Sequence, residues 1–369
     1  MILSEIWATI DLHTNPVGVD SIPLLSAFGR IPAVSFAAGL DVPPCDVSAL
    51  DGYVLWGKGP TFLLKGVSEP FMEVPCDIGE GEAFFIPTGG CLPPNGRFVA
   101  REQVREKGDL IEVETDEDQR KLVKAGDWLR RGTEIVVQGV PIDPSAMALL
   151  SLARIENCKV FRKPAVAIVT TGSELKRGRL VDSNRFLLAG LVQRDGGELV
   201  ESHIADDTDE DLFSILSGLQ GPDLLVFTGG TSKGKRDLTK QAVDRWGGKF
   251  YLQSPSVLPG KTMAFAKKDR TTVCVLPGNP RAVRTCYEVF VKRVLFRLAG
   301  RTWAAEELDL PLTEGIQRTE DASTLTPALL ERGVSGLREL YPREPDAFVV
   351  TEGEARSLPL GARVKVIVP

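Results

Sequence analysis

The chain has 369 residues, which exceeds what one hydrophobic core usually serves, so about two to four domains are expected. Hydrophobic residues make up 43% and charged residues 25%, and no apolar stretch is long enough to cross a bilayer, so we expect no membrane association. A net charge of −6 argues against general binding of nucleic acid. The N-terminal residues lack the features of a secretory signal, and a cytoplasmic protein is expected.

Cysteine and histidine usage excludes several kinds of site. The six cysteines are scattered without a C-x-x-C pair, which disfavours zinc ribbons and disulfide frameworks and predicts buried thiols. Only His13 and His203 occur, and neither lies in a recognisable nucleophile context. Carboxylates and hard cations therefore remain as the expected chemistry.

The first 160 residues read as many short segments separated by turns. Residues 109–114 and 134–137 have the composition of short strands, so residues 55–136 are predicted to form a small β-rich domain. Residues 144–153 are predicted to be helical, with Pro144 in the favourable first turn. The remainder, 1–54 and 137–160, forms a discontinuous domain in this prediction.

Residues 161–302 show alternating strands and helices, the pattern of a doubly wound α/β domain with a mostly parallel sheet. After residue 303 the pattern is again strand-like, ending in a clean alternation at 362–368, and predicts a small C-terminal β-domain spanning 303–369. The predicted strands of the α/β domain are 165–170, 199–204, 223–227 and 272–276, and the helices are 184–193, 209–216, 238–246 and 281–298.

Three polar loops directly follow predicted strands: TGSEL at 171–175, TGGTSKGKRD at 228–237 and LPGNP at 276–280. Ligands of open α/β sheets bind beyond the carboxyl ends of the strands, so we expect these loops to share one pocket. The second loop delivers glycines to a helix start, where backbone N–H groups bind anions. Its spacing imitates a P-loop, but Arg236 replaces the Ser or Thr that binds magnesium, which excludes a nucleoside triphosphatase of that class.

Positive charge is concentrated around the glycine loop. This indicates a small, highly anionic ligand, whereas the plainer interpretation is a solvated basic loop. The cations concerned are Lys233, Lys235, Arg236, Lys240 and Lys261.

Further motifs occur outside the α/β segment. They are LLSAFGRI at 24–31, DVPPCDVSALDGY at 41–53, PTG at 87–89 and PGK at 259–261. Together with the three strand-end loops, these motifs resemble the MoeA/gephyrin E-domain family, the molybdopterin molybdenumtransferases. The resemblance runs in the same order over nearly the whole chain and weakens after residue 303.

The resemblance implies an elongated, multi-domain subunit that forms a homodimer. It implies that the chain inserts molybdenum from molybdate into adenylyl-molybdopterin, releasing AMP, with Mg²⁺ as the divalent cation. The upstream adenylyltransferase is a further expected partner. A site for a pyrophosphate needs backbone N–H groups, basic side chains and magnesium-binding carboxylates, in agreement with the motifs.

The resemblance also implies roles for individual residues. The metal-binding acids are Asp51, Glu174, Asp237 and one of Asp206 and Asp207. The catalytic residues are Asp51, Glu174, Asp237 and Lys261. The ligand-binding residues are Thr88, Thr171, Gly172, Gly229, Gly230, Ser232, Gly234, Lys235, Pro259, Gly260, Gly278, Asn279 and Ser335, the last of which faces the pocket of the partner subunit in the family.

Each acid also has a purely structural interpretation. Asp237 precedes a predicted helix and is a candidate N-cap, and Asp206 or Asp207 is a candidate helix N-terminal charge. Glu174 and Asp51 lie in turn-prone segments and are candidates for turn residues without a ligand.

The chain departs from the family pattern at two lysines, which are replaced by Ser254 and Leu258. Each lost charge contact removes about 1.5–3 kcal/mol of charge-assisted hydrogen bonding to a dianion such as molybdate. Lys233, Lys235 and Arg236 are extra cations that we hypothesise to compensate. The alternatives are a divergent paralogue that binds molybdopterin as a scaffold or carrier, one that handles another oxyanion such as tungstate, and a nucleotide enzyme such as a CinA-like pyrophosphatase.

Overall fold

The computed structural model groups the chain into two compact units, one of Met1–Asp20 with Phe161–Pro369 and one of Ser21–Val160. The first 20 residues thus lie with the α/β segment, whereas the sequence grouped them with 21–54. The reason is helix α1 (Leu3–His13), whose buried Leu3, Ile6 and Ile10 join the core of the α/β domain. The structure describes residues 3–69, 78–114, 122–230, 237–303, 306–313, 315–317, 323–330, 334–336, 345, 347–351 and 357–368.

The unit Ser21–Val160 contains a six-stranded sheet in the order β7-β4-β6-β5-β9-β8, which gives this part the predicted β-rich character. Helix α2 begins where expected, because Asp143 caps it by accepting a hydrogen bond from the Ala146 amide and Pro144 occupies its first position. The elements from the start of β1 are β1 (Val19–Pro23), β2 (Phe36–Ala37), β3 (Val47–Ser48), β4 (Gly52–Leu55), β5 (Thr61–Val67), β6 (Glu82–Ile86), β7 (Arg97–Ala100), β8 (Val104–Lys107), β9 (Leu110–Val113), β10 (Leu122–Val123), β11 (Glu134–Val136), α2 (Pro144–Leu152) and β12 (Asn157–Phe161), with 3-10 turns at Leu24–Ser26 and Arg101–Gln103.

Tyr53 in β4 is a buried phenol, 2% exposed, whose hydroxyl donates to Glu106 at 2.7 Å. Burial, followed by the hydrogen bond to Glu106, raises the pKa of Tyr53 to about 12. In the unfolded chain the pKa of this phenol is the ordinary tyrosine value of 10.0. The stability that Tyr53 contributes is therefore complete below that pH and is lost as the pH rises through the folded pKa.

We expect the ultraviolet difference titration between the wild type and Tyr53→Phe to show the phenolate of residue 53 near pH 12. Only four tyrosines contribute to the signal, so one missing transition is measurable. A difference spectrum centred on the ordinary tyrosine pKa would show that the Tyr53 hydroxyl is not held by burial and Glu106.

The α/β domain is a six-stranded sheet in the order β14-β13-β15-β19-β18-β16. The first four strands are parallel, as predicted, and β18 and β16 continue the sheet antiparallel at one edge. Two hydrophobic clusters cover the two faces, with α1 packed on the face that carries Val166 and Val226. The elements are β13 (Ala165–Thr171), α3 (Ser173–Lys176), α4 (Ser183–Arg194), β14 (Glu198–Ala205), α5 (Asp209–Gly218), β15 (Leu224–Thr228), α6 (Leu238–Arg245), β16 (Lys249–Gln253), β17 (Val257–Leu258), β18 (Ala264–Lys268), β19 (Thr271–Leu276), α7 (Pro280–Cys286) and α8 (Lys292–Leu298).

The long helix predicted for 281–298 is present but is not uniform. A π-helical segment, Tyr287–Val291, lies between α7 and α8. All residues of this segment are buried, so its sequence shows no alternation of apolar and polar positions. The extra residue of a π turn therefore leaves no shift in periodicity that could be seen in the sequence.

The C-terminal part is β-rich, in agreement with the prediction, and its main sheet has the order β17-β22-β24-β26-β20. Strand β17 joins this sheet from within the preceding segment, because Val257 and Leu258 pair with Ser323 and Thr324. The strands are β20 (Glu306–Pro311), β21 (Ile316–Gln317), β22 (Ser323–Leu330), β23 (Val334–Gly336), β24 (Ala347–Thr351), β25 (Ser357–Leu358) and β26 (Arg363–Val368).

The expected fold class, an α/β domain combined with β-rich parts, is confirmed. Of the cysteines predicted to be buried thiols, Cys91, Cys158, Cys274 and Cys286 are buried, Cys45 is half-buried, and Cys76 lies outside the described residues. Across the described ranges, no helix combines the length and apolar character needed to span a bilayer.

Candidate ligand site at the carboxyl edge of the sheet

The carboxyl ends of β13, β15 and β19 border a cavity of about 730 Å³. The three predicted loops do meet there, since Thr171, Gly229 and Gly278 all line it. Parallel strands end at one edge of a sheet, which is why loops far apart in sequence converge. The volume lies in the range of small-molecule sites, roughly 300–1,000 Å³.

Gly229 and Gly230 form the tightest part of this edge. Their φ angles of +95° and +67° lie in the left-handed region, which side chains other than glycine rarely adopt. A Cβ at Gly229 would overlap the Thr171 carbonyl oxygen, and one at Gly230 would overlap the Thr239 hydroxyl. The loop after β15 therefore passes against the end of β13 at a distance that excludes a side chain.

Asn184, in the first turn of α4, connects the strand ends. Its side-chain amide donates to the Gly278 carbonyl at 2.8 Å and to the Thr228 hydroxyl at 3.1 Å. The Thr228 hydroxyl donates in turn to the Pro277 carbonyl at 2.8 Å. These bonds fix the ends of β15 and β19 relative to α4.

Two buried polar atoms at the cavity have no hydrogen-bond partner among the described residues. They are Oδ1 of Asn184, which is 9% exposed, and Oγ1 of Thr171, which is 5% exposed. Buried polar groups are nearly always hydrogen-bonded, so a bound ligand with complementary groups is the expected partner. Both residues line the cavity.

Asn184 was missed by sequence reasoning, which interpreted it as the first residue of an ordinary helix. A polar Asp182-Ser183-Asn184 run at the start of the predicted helix, a few residues after the TGSEL loop, was the available signal. Asp182 is explained structurally, because it caps α4 at the Arg185 amide and accepts from the Thr170 hydroxyl at 2.6 Å. Those two bonds place the first turn of α4 beside β13.

Glu174 and Asp207 both line the cavity, whereas Asp206 does not. Asp206 accepts from the Ser173 hydroxyl and from the Asp207 amide, and the hydrogen bond from Ser173 holds the pKa of Asp206 below its usual value. Asp207 accepts from the Ser173 amide at 3.1 Å. The Asp206 carboxylate is thus committed to the loop, and Asp207 is the member of the pair that borders the cavity.

Asp237 is the N-cap of α6, since its carboxylate accepts from the Lys240 amide at 3.2 Å. The structural interpretation of this residue is therefore confirmed. Its second oxygen pairs with the Lys240 ammonium at 2.9 Å, and that ammonium donates to the Ser254 hydroxyl at 3.2 Å. Lys240 thus brings a positive charge to Ser254, one of the two positions where the resemblance expects lysine.

Asn279 caps α7 by accepting from the amides of Arg281 and Ala282 at 3.0 and 3.4 Å. Pro259 and Gly260 follow β17, and the Cys286 thiol donates to the Pro259 carbonyl at 3.5 Å. Lys261 is half-buried beside them. Ser335 lies in β23, in register with Leu329.

Asp51 and Thr88, in the unit Ser21–Val160, contact one another. The Asp51 carboxylate accepts from the Thr88 amide at 2.8 Å and from the Thr88 hydroxyl at 3.0 Å. Asp51 thus binds a residue distant in sequence and joins the segment before β4 to the segment after β6, which is a different role from the local turn considered for it. Ser232, Gly234 and Lys235 of the predicted site, with Lys233 and Arg236, lie outside the described residues.

The magnesium ligands expected from the resemblance stay a prediction. Within the described ranges no group of three or more His, Cys, Asp or Glu side chains is placed to hold a metal ion. The Lys240 ammonium pairs with Asp237 and offsets its charge. The Ser173 hydroxyl occupies one oxygen of Asp206, which leaves fewer carboxylate oxygens for a cation.

The strand order is that of a doubly wound α/β domain, and the cavity beside Gly229 and Gly230 is its candidate ligand site. Two family models match the chain. One, described as the MoeA N-terminal region, domains I and II, matches residues 1–153, and the other, described as a probable molybdopterin binding domain, matches residues 167–297. The chain belongs to the MoeA family, and its N-terminal match counts against the CinA-like alternative.

Individual relatives are similar at low identity over most of the chain. The molybdopterin molybdenumtransferase of Nostoc sp. is 29% identical over 306 residues, which cover 76% of this chain and 69% of the relative. That of Haemophilus influenzae is 26% identical over 304 residues, covering 78% and 74%. The solved structure of the molybdopterin biosynthesis MoeA protein from Pyrococcus horikoshii has a TM-score of 0.84 at 25% identity, covering 100% of this chain and 98% of that one.

Proposed function

We propose that this chain inserts molybdenum from molybdate into adenylyl-molybdopterin with release of AMP. Its role in molybdenum cofactor biosynthesis follows from its family. The observation that carries the specific reaction is the cavity of about 730 Å³, where Thr171 Oγ1 and Asn184 Oδ1 are buried without partners among the described residues. A pterin, with ring N–H groups and heteroatoms, supplies the donors and acceptors that these two atoms need.

In this proposal the chain acts chiefly by binding and orienting. Because Gly229 and Gly230 carry no side chain, the ligand can approach the backbone of the loop after β15 directly. Asn184 and Thr228 keep the strand ends in place, so the reacting groups meet a preorganised surface. Magnesium dependence, a homodimer and a cytoplasmic location belong to the same proposal, as do the predicted roles of Glu174 and Lys261.

A second candidate is a paralogue that binds molybdopterin without inserting molybdenum, or that inserts tungsten from tungstate. The replacement of lysine at Leu258 favours it, because that half-buried side chain in β17 offers no charge to an oxyanion. The ammonium of Lys240 beside Ser254 favours retained oxyanion binding instead. The two candidates predict different products.

The test is to incubate the purified chain with adenylyl-molybdopterin, Mg²⁺ and either molybdate or tungstate, and to follow AMP release. AMP release that requires molybdate supports the proposal, and release that requires tungstate supports the altered-oxyanion candidate. Tight binding of the pterin with no AMP under either condition supports the non-catalytic candidate. A Lys233→Ala/Lys235→Ala/Arg236→Ala variant checks compensation, which predicts weaker molybdate affinity than the wild type.

A further inference from the structure

A second cavity, of about 410 Å³, lies in the α/β domain away from the first. Residues at the amino end of β16, the carboxyl end of β18 and the carboxyl end of α1 line it. None of them lines the first cavity. Because β19 begins at Thr271 beside Lys268 and ends at Leu276 beside the first cavity, the two cavities lie at opposite ends of the sheet.

Two lysines face each other across the strands that line this cavity. Lys249 of β16 and Lys267 of β18 are direct partners in the antiparallel register. Like charges directly opposite on neighbouring strands repel and destabilise the pair. Across the described ranges, no carboxylate lies within ion-pair distance of either ammonium, so their repulsion is not relieved within that part of the protein.

An aromatic pair builds the adjoining wall. The rings of His13 and Tyr251 stack with centroids 3.7 Å apart and planes inclined by 28°. Lys249 and Tyr251 are two residues apart in β16, and the Lys249 ammonium lies 5.4 Å from the Tyr251 ring centroid. Tyr251 packs against the hydrophobic core, so the wall is held by the fold rather than by the cavity contents.

Charge in this cavity is opposite in sign to that of the chain. Lys249, Lys267 and Lys268 line it, and Asp269, exposed in the turn after β18, is the acid among its lining residues. The Lys268 ammonium lies 4.1 Å from the Trp246 ring centroid, whereas the Lys249 ammonium lies over the Tyr251 ring of the wall. The chain as a whole carries a charge of −6.

We propose that this second cavity binds a small phosphate-bearing anion. A phosphate group at neutral pH carries nearly two negative charges and several acceptor oxygens, which match two opposed ammonium groups better than one carboxylate does. Bound between Lys249 and Lys267, it removes their mutual repulsion. The volume accommodates either inorganic phosphate or a phosphate monoester, and this inference does not depend on the function proposed for the first cavity.

The NMR signals of His13 report ligand binding in this cavity, because His13 lines it and the chain has only two histidines. His203 lies in β14, outside the lining of either cavity, and serves as an internal reference. The full chain, labelled with ¹⁵N-histidine, is titrated with inorganic phosphate and separately with AMP, with sodium chloride at matched ionic strength. We expect a saturable shift of the His13 signals with a phosphate ligand and none with chloride.

The variant Lys249→Gln/Lys267→Gln removes both cations and their repulsion, so it is expected to fold at least as stably as the wild type. Its affinity for the phosphate ligand is expected to fall by about tenfold or more. Lys163→Gln, which changes an exposed lysine outside the cavity, is the matched control and should bind as the wild type does. AMP release by the double variant should be unchanged.

The two ligands distinguish the source of the phosphate. Equal affinities for phosphate and AMP assign recognition to the phosphate group alone, and a higher affinity for AMP assigns a nucleoside monophosphate. The proposal is overturned if neither ligand shifts the His13 signals saturably, or if the double variant binds as tightly as Lys163→Gln.

Discussion

Replacement of Gly229 by alanine is expected to lower the free energy of unfolding by about 2–4 kcal/mol and to abolish most of the proposed transferase activity. The φ angle of +95° is unfavourable for alanine, and the added Cβ would overlap the backbone oxygen of Thr171, which has no freedom to rotate away. Relief of the overlap separates the loop after β15 from the end of β13. Thermal unfolding and AMP release measure the two effects.

Gly190→Ala is the matched control. Gly190 is exposed in the middle of α4, and a Cβ there meets nothing within 4 Å. Alanine at a helical position of this kind stabilises by about 0.5–1 kcal/mol, so the same substitution has the opposite sign at the two sites. A Gly229→Ala protein as stable and active as the wild type would show that the strands do not approach as closely as described.

Replacement of Asn184 by alanine is expected to reduce kcat/KM for AMP release by about 10- to 100-fold. The Gly278 carbonyl and the Thr228 hydroxyl would lose a donor, and the ligand would lose the acceptor Oδ1. Stability is expected to fall by about 1–3 kcal/mol because the buried Thr228 hydroxyl is left without that donor.

A second substitution at Asn184 distinguishes a purely structural role of this residue from a role in ligand binding. Asn184→Asp keeps the Oδ1 acceptor but lacks the amide donors, so it is expected to lose stability and yet retain more pterin affinity than Asn184→Ala. Equilibrium binding of molybdopterin, measured below the unfolding temperature of each variant, makes the comparison. The exposed Asn157 provides the control Asn157→Ala, and an equal pterin affinity of Asn184→Ala and this control would contradict the binding role.

Most elements of the α/β domain were predictable because the pattern of apolar residues in the local sequence is typical of a strand or of a helix. The predicted strand 272–276 and helix 209–216 agree with β19 (Thr271–Leu276) and α5 (Asp209–Gly218) within two residues. Strands β16 and β18 were missed, since they are short and β18 ends in two lysines, so neither shows a full strand pattern. The packing of α1 on residues after 160 was not foreseen, because local sequence carries no information about such distant contacts.

The position of the site was predictable, but the state of its side chains was not. Three polar loops after parallel strands must meet at one edge, and they do. Whether an acid there is available for a ligand depends on bonds that spacing does not reveal: Asp237 is occupied as a helix cap and by Lys240, and Asp206 by Ser173. Asn184 was missed for the converse reason, because a first-turn asparagine is common whether or not it faces a cavity.

The placement of α1 has a consequence for synthesis on the ribosome. The segment Ser21–Val160 can complete its own sheet as soon as it emerges, whereas Leu3, Ile6 and Ile10 gain their partners only when residues 166–298 follow. At usual rates of elongation this takes roughly ten seconds or more, during which the apolar face of α1 lacks its native cover. The N-terminus, although made first, is therefore among the last parts to fold, and truncation before residue 298 leaves it a binding target for chaperones.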